Sequence, residues 1–156
     1  IIFSNIKKPL TEEFIEEFIE ELEWDEIMTS KTINFNLIER YKDDINWFFV
    51  SKYSNLTEEI IEHYEEENKN WDFDEISLYY KITKPFIEKY IDKIYWVNIS
   101  LNNNITEDII IHYIDNIIWE SLSYNPNLTL NIVKKYEDKI DFDILSENLF
   151  EYNINF

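Results

Sequence analysis

The chain has 156 residues, 33 of them acidic and 14 basic, a formal charge of −19 with neutral histidine on one domain's length of polypeptide. It contains no Gly, Cys, Ala or Gln and one Arg, Arg40; this excludes disulfides and thiol catalysis, and also the Gly-dependent Rossmann, phosphate-loop and nucleophile-elbow fingerprints, which need close backbone approach or positive φ. The acidic balance argues against a basic nucleic-acid-binding surface, while 45% apolar and 17% aromatic residues supply a core that a disordered acidic tail lacks.

Residues 1–9, IIFSNIKKP, read as the remnant of a preceding repeat or an N-terminal cap, with Phe3-Ser4 at the place of a Leu-Ser pair. From residue 10 to 146 a unit repeats six times. Its anchor is Ile or Leu followed by Thr or Asn: Leu10-Thr11, Ile33-Asn34, Leu56-Thr57, Ile82-Thr83, Ile105-Thr106 and Leu128-Thr129, spaced 23, 23, 26, 23 and 23 residues apart. Eight residues after each anchor stands Phe18, Tyr41, Tyr64, Tyr90, Tyr113 or Tyr136. Fourteen after it stands Trp24, Trp47, Trp96, Trp119 or Phe142, with Trp71 in the third copy displaced by part of a three-residue insertion. A serine column closes most copies as Ser51, Ser77, Ser100, Ser123 and Ser146, with Met28 in the first.

Within the fifth copy Ile105, Ile109, Ile110, Tyr113 and Ile117 form one stripe of a 3.6-residue period, which predicts a helix of about three turns after each anchor. The anchor hydroxyl or amide is placed to cap it, as Thr106 before Glu107 and Asp108, and Pro85 falls in a first turn, where its missing N–H costs little. A second, shorter helix follows, with a short strand as the alternative because of its aromatic and β-branched content. One such hairpin cannot bury its own apolar face, so the expected fold is all-α, with helix-turn-helix units stacked into a compact α-solenoid of about six copies. After Ser146 the pattern fails, and residues 147–156 are expected to form a C-terminal cap. No apolar run reaches the roughly 18 residues of a membrane span and no signal-like start is present, so a soluble cytoplasmic protein is expected.

The unit, clearest in ITEDIIIHYIDNIIWESLSYNPN and LTLNIVKKYEDKIDFDILSEN, resembles short helical repeats of uncharacterised proteins from AT-rich bacteria, their phages and large DNA viruses. The likeness covers residues 10 to about 148. The resemblance implies an interaction module of viral kind and no shared catalytic residues.

The remaining candidates are weighed on chemistry. His63 and His112 share a polar column with Glu17, Arg40, Lys89 and Lys135, which reads as solvent-facing and not as a metal site. A serine repeated five times marks a turn or helix end and not a nucleophile. Asp72, Asp74 and Glu75 lack the glycine and spacing of a calcium loop. No enzyme activity, cofactor or metal is expected. The acidic residues are the candidate site. Through Tyr80 there are 7 bases and 21 acids, net −14; beyond it 7 bases and 12 acids, net −5. Glu12, Glu16 and Glu20 form one i, i+4 row on the first helix and Glu13, Glu17 and Glu21 another; Glu58, Glu59, Glu62, Glu65, Glu66, Glu67, Asp72 and Asp74 form a second acidic segment. Two such rows carry a charge about every 3 Å, near the roughly 3.4 Å of a nucleic-acid strand. The expected partner is therefore a protein with a basic surface. In its sharpest form the chain mimics nucleic acid to inhibit a nuclease or defence complex, without binding nucleic acid or membrane itself. The alternatives are a solvated face that only keeps the chain soluble, and an assembly component, a viral accessory or virion protein, that associates through its repeat ends. The insertion, residues 65–74, is the first candidate loop for recognition.

Overall fold

Each anchor Thr or Asn does open a helix. The computed structural model describes residues 11–23, 27, 34–52, 56–66 and 70–152. Among them every regular element is an α-helix, in the order α1 (Glu12–Phe18), α2 (Phe35–Tyr41), α3 (Trp47–Ser51), α4 (Glu58–Glu66), α5 (Phe73–Tyr79), α6 (Lys84–Lys89), α7 (Trp96–Leu101), α8 (Glu107–His112), α9 (Trp119–Ser123), α10 (Leu130–Lys135) and α11 (Phe142–Tyr152). The side chains of Thr11, Asn34, Thr57, Thr83, Thr106 and Thr129 accept from the amides of Phe14, Leu37, Ile60, Phe86, Ile109 and Ile132. Each thereby satisfies one of the amides that a helix start leaves without a partner. The second segment is a helix in every described copy, not a strand.

The first helices are shorter than the expected three turns, at six to nine residues. The reason lies at the aromatic column. The carbonyl of Tyr90 accepts the amides of both Lys93 and Ile94, and that of Tyr113 those of Asn116 and Ile117. Tyr90, Tyr113 and Tyr136 leave the α region at φ −112°, −108° and −129°. Winding continues as turns, so the apolar stripe is kept: Leu22, Ile45, Ile94, Ile117 and Ile140 are all buried. Every helix C-cap with a defined geometry has negative φ, so none needs the left-handed conformation that makes Gly the usual helix stop.

Two further expectations change. Phe73, not Trp71, holds the tryptophan column's place in the third copy: Asp72 caps α5 at the amides of Asp74 and Glu75, so all three extra residues of that copy precede the helix. Ser77 then follows Phe73 by four residues, as Ser51 follows Trp47, and donates to the Phe73 carbonyl. At the other end α11 runs unbroken to Tyr152, so residues 147–152 prolong the last second helix instead of forming a separate cap. The expectations for residues 1–9, Leu10, Trp24, Met28 and Ile33 lie outside the described residues.

The chain divides into two compact units, Ile1–Trp71 and Asp72–Phe156, with the break inside the third copy. In the first unit, Ile15, Leu37, Ile38, Val50, Ile61 and Tyr64 are buried, and Trp47 packs on Tyr64 with ring centroids 4.8 Å apart. The second unit shows the repeat most fully. Its second helices α5, α7 and α9 pack side by side, and α11 follows α9. Ile76, Phe86, Ile87, Ile99, Leu122 and Ile132 form its dry interior.

Ser and Asn side chains tie consecutive copies of that unit together. Ser77, Ser100 and Ser123 are fully buried. Each donates to the carbonyl four residues earlier, and each accepts the amide of the residue 18 positions later: Tyr95 at 3.0 Å, Ile118 at 3.0 Å and Asp141 at 3.1 Å. Asn102 Nδ2 donates to the carbonyls of Ser77 and Tyr80, and its Oδ1 accepts from the Asn104 amide. Asn125, 23 residues on, does the same with Ser100, Asn102 and Asn127. These buried serine and asparagine side chains each have their partners, as a low-dielectric interior demands, whereas the buried Tyr113 hydroxyl has no hydrogen-bond partner among the described residues.

Candidate acidic surface

On α1 the apolar side is set by Ile15 at the core and by Phe14 against Phe18, centroids 4.7 Å apart. The glutamates of that helix are left towards solvent. Their two expected rows are shorter than the sequence spacing implies, because α1 ends at Phe18 and leaves Glu20 and Glu21 in the following turn. The first row is also not bare. Glu16 pairs with Arg40, and Glu12 accepts from Asn34 Nδ2 at 3.5 Å. What remains is Glu13, Glu17, Glu20, Glu21 and Glu23, all exposed and without an ion pair among the described residues.

In the second acidic segment Glu58, Glu59, Glu62, Glu65 and Glu66 belong to α4. Glu59 is exposed, Glu58, Glu62 and Glu65 are half-buried, and Glu67 lies outside the described residues, as do Asp25 and Glu26. Asp72 and Asp74 fall in the second unit, so they are not part of the first unit's surface. Asp72 serves as the N-cap of α5, a structural task. Within the expected recognition loop Trp71 is held in place: its Nε1 donates to the Ile61 carbonyl at 3.1 Å and its ring meets Trp47 edge-on at 5.0 Å, while residues 67–69 lie outside the described residues.

Sequence reasoning missed Glu39. Its carboxylate accepts from Tyr64 Oη at 2.6 Å and Lys42 Nζ at 3.1 Å, with His63 Nε2 at 3.7 Å. These contacts hold its pKa below the usual carboxylate range, the Tyr64 hydrogen bond contributing most. Glu107 is lowered in the same way, by Thr129 Oγ1 first and Asn131 Nδ2 second. Desolvation raises the Tyr113 hydroxyl, with the charge of Glu88 adding to it and Lys84 opposing. Asn102 and Asn125 were missed as well. Their signal is the Ser-x-Asn tripeptide at Ser100-Leu101-Asn102 and Ser123-Tyr124-Asn125, which marks a serine and amide pair needed at one helix end.

The polar column reads as expected: Glu17, Arg40, His63, Lys89, His112 and Lys135 are all exposed. No group of three or more His, Asp or Glu among the described residues is arranged to hold a metal ion. No helix among them is long and apolar enough to cross a membrane. The buried hydroxyls of Ser77, Ser100 and Ser123 are committed to backbone partners. What the acidic surface can do chemically is attract cations and basic side chains.

No family model, curated protein or solved structure matches the chain.

Proposed function

We propose that the chain is a non-enzymatic scaffold of the α-solenoid type, whose first copies bind the basic surface of another protein. The observation that supports this is the group Glu13, Glu17, Glu20, Glu21 and Glu23, exposed together while Arg40 is held by Glu16 and Lys42 by Glu39. A surface meant only for solubility works best with both signs interspersed; here Arg40 and Lys42 are held on other carboxylates. The repeating Ser, Asn and Tyr contacts between copies support the stacked architecture, because they recur at the sequence period. Shortening of the carboxylate rows takes away the regular spacing of a nucleic-acid strand, so a basic protein surface is the stronger reading and mimicry becomes an arm of the test.

The test is capture of partners from extracts of the source cell at low and high salt, followed by titration of the purified partner. Binding that weakens with salt and falls about tenfold or more in E13Q/E20Q/E21Q supports the reading; loss of three charge pairs worth up to about 1 kcal/mol each has that size. Unchanged affinity overturns it. Displacement of the partner by duplex DNA at the same site identifies the mimicry form.

A further inference from the structure

The residue just before each second helix stands at the N-cap, where a side-chain acceptor normally holds the first amides. Among the described second helices, Asn46 on α3, Asp72 on α5 and Asp141 on α11 do this. They accept from Phe48, from Asp74 and Glu75, and from Asp143 and Ile144. On α7 and α9 the position is held by Tyr95 and Ile118, with no side-chain hydrogen bond to the helix. Neither side chain is withdrawn into the core in exchange: Tyr95 is 54% and Ile118 38% exposed. Two helices too short to be stable alone thus give up a cap and gain an exposed apolar group.

The openings of these helices form one row within the second unit. Helices α5, α7 and α9 pack side by side and α11 follows α9. Asn98 in the first turn of α7 donates to the Asp74 carbonyl in the first turn of α5 at 2.9 Å, and Ser77, Ser100 and Ser123 hold the openings of α7, α9 and α11 by one repeated hydrogen bond. Along the row the N-cap position reads Asp72, Tyr95, Ile118, Asp141, and two residues on it reads Asp74, Val97, Glu120, Asp143. Val97 is 50% exposed. Asp74, Glu120, Asp141 and Asp143 are exposed as well, and none of these four is in an ion pair among the described residues. Lys93 and Lys139, the closest bases in sequence, lie over the rings of Phe73 and Tyr90 and of Trp119. The row is therefore apolar at its centre and carboxylate to either side. Helix spacings of about 8–10 Å spread the four openings over roughly 25–30 Å, the reach of about eight extended residues.

We infer that this row docks an extended segment of another protein in which a few large apolar side chains are flanked on both sides by Lys or Arg. The apolar centre calls for the first feature, because Tyr95, Val97 and Ile118 gain from burial only against apolar groups. The unpaired carboxylates call for the second, and they repel nucleic acid and anionic lipid alike. Where a local rule is broken with no gain to the fold, a function is the expected reason; the two forgone caps fall at the only apolar members of their column. The surface lies wholly in the second unit. It is independent of the first unit's glutamates, on which the proposed function rests, and shares with that reading only the sign of the partner's charge.

Selection of displayed random 12-residue peptides on the full chain tests it. The enriched sequences are expected to hold large apolar residues between Lys or Arg, and the most enriched one, synthesised with a fluorophore, is the probe for titration. Y95N/I118N gives α7 and α9 the cap that Asn46 gives α3. It is expected to weaken the peptide about tenfold or more while unfolding at the same urea concentration as wild type or a higher one. D74N/E120Q/D143N is expected to weaken it by a similar factor and to flatten its salt dependence. E13Q/E20Q/E21Q is expected to leave it unchanged. Absence of enriched apolar and basic sequences, or Y95N/I118N binding as tightly as wild type, would overturn the inference. Unfolding of Y95N/I118N at lower urea would do so too, since Tyr95 and Ile118 would then serve the fold. A peptide lost in E13Q/E20Q/E21Q but kept in Y95N/I118N would overturn it and leave the proposed function standing, so the two readings fail separately.

Discussion

Ser100 concentrates the logic of the fold in one hydroxyl. Its Oγ donates to Trp96 and accepts from the Ile118 amide while fully buried. Ser100→Ala leaves that amide without a partner, and urea denaturation should register a loss of about 1–3 kcal/mol. Ser146→Ala, at the exposed equivalent, should stay within about 0.5 kcal/mol of wild type. Glu39 and Glu107 yield a pH prediction. Both folded pKa values are depressed, so their contribution is present above the unfolded value of about 4.3 and disappears as pH falls through the lower folded value. Denaturation midpoints measured from pH 7 down to pH 3 should therefore drop in the wild type and drop less in E39Q/E107Q, with the double variant already weaker at pH 7. A slope unchanged by the substitutions would contradict this assignment.

The helices here are too short to stand alone, since isolated helices below about 12–15 residues are marginal in water. Their ends and their buried faces must supply the stability. Thr106→Ala, which removes the cap on α8, should cost about 1 kcal/mol. Phe86→Ala, in the dry interior of the second unit, should cost about 3–5 kcal/mol, whereas Phe142→Ala should change the monomer little because that ring is half exposed. Equilibrium unfolding by far-ultraviolet circular dichroism ranks the three. The order also discriminates the Phe73 register: Phe73, stacked on Tyr90, should be more sensitive to alanine than the chemically identical Phe142.

Charge acts on the molecule as a whole. A net −19 repels itself in the compact state, and the excess is concentrated before Tyr80. Raising salt shortens the screening length from about 10 Å at 0.1 M to about 3 Å at 1 M. Thermal midpoints should therefore rise with sodium chloride. Hydrogen exchange should show the larger gain in protection at α1 and α4, where like charges stand one turn apart, than at α8 or α10. Equal gains throughout would mean that the acidic segment is neutralised by its own neighbours more completely than Arg40 and Lys42 allow.

Much of the architecture could be read from the chain because its determinants are local and repeated. A Thr or Asn one residue before an apolar stripe must cap, and all six did. The exposed polar column follows from the same period. The aromatic and serine columns were visible as columns, but their partners were not: a stack 17 residues away and an amide 18 residues away are set by how one copy lies on the next. Asn102 and Asn125 carried only a faint tripeptide signal, since an asparagine in a turn and one buried beneath two carbonyls look alike in sequence. For the acidic surface, the sequence by itself determined where carboxylates are dense, because composition and helical period settle that. Only the tertiary structure decided which are spent on Arg40, Asn34, Tyr64 or a helix cap and which stay bare, because pairing depends on distances between copies.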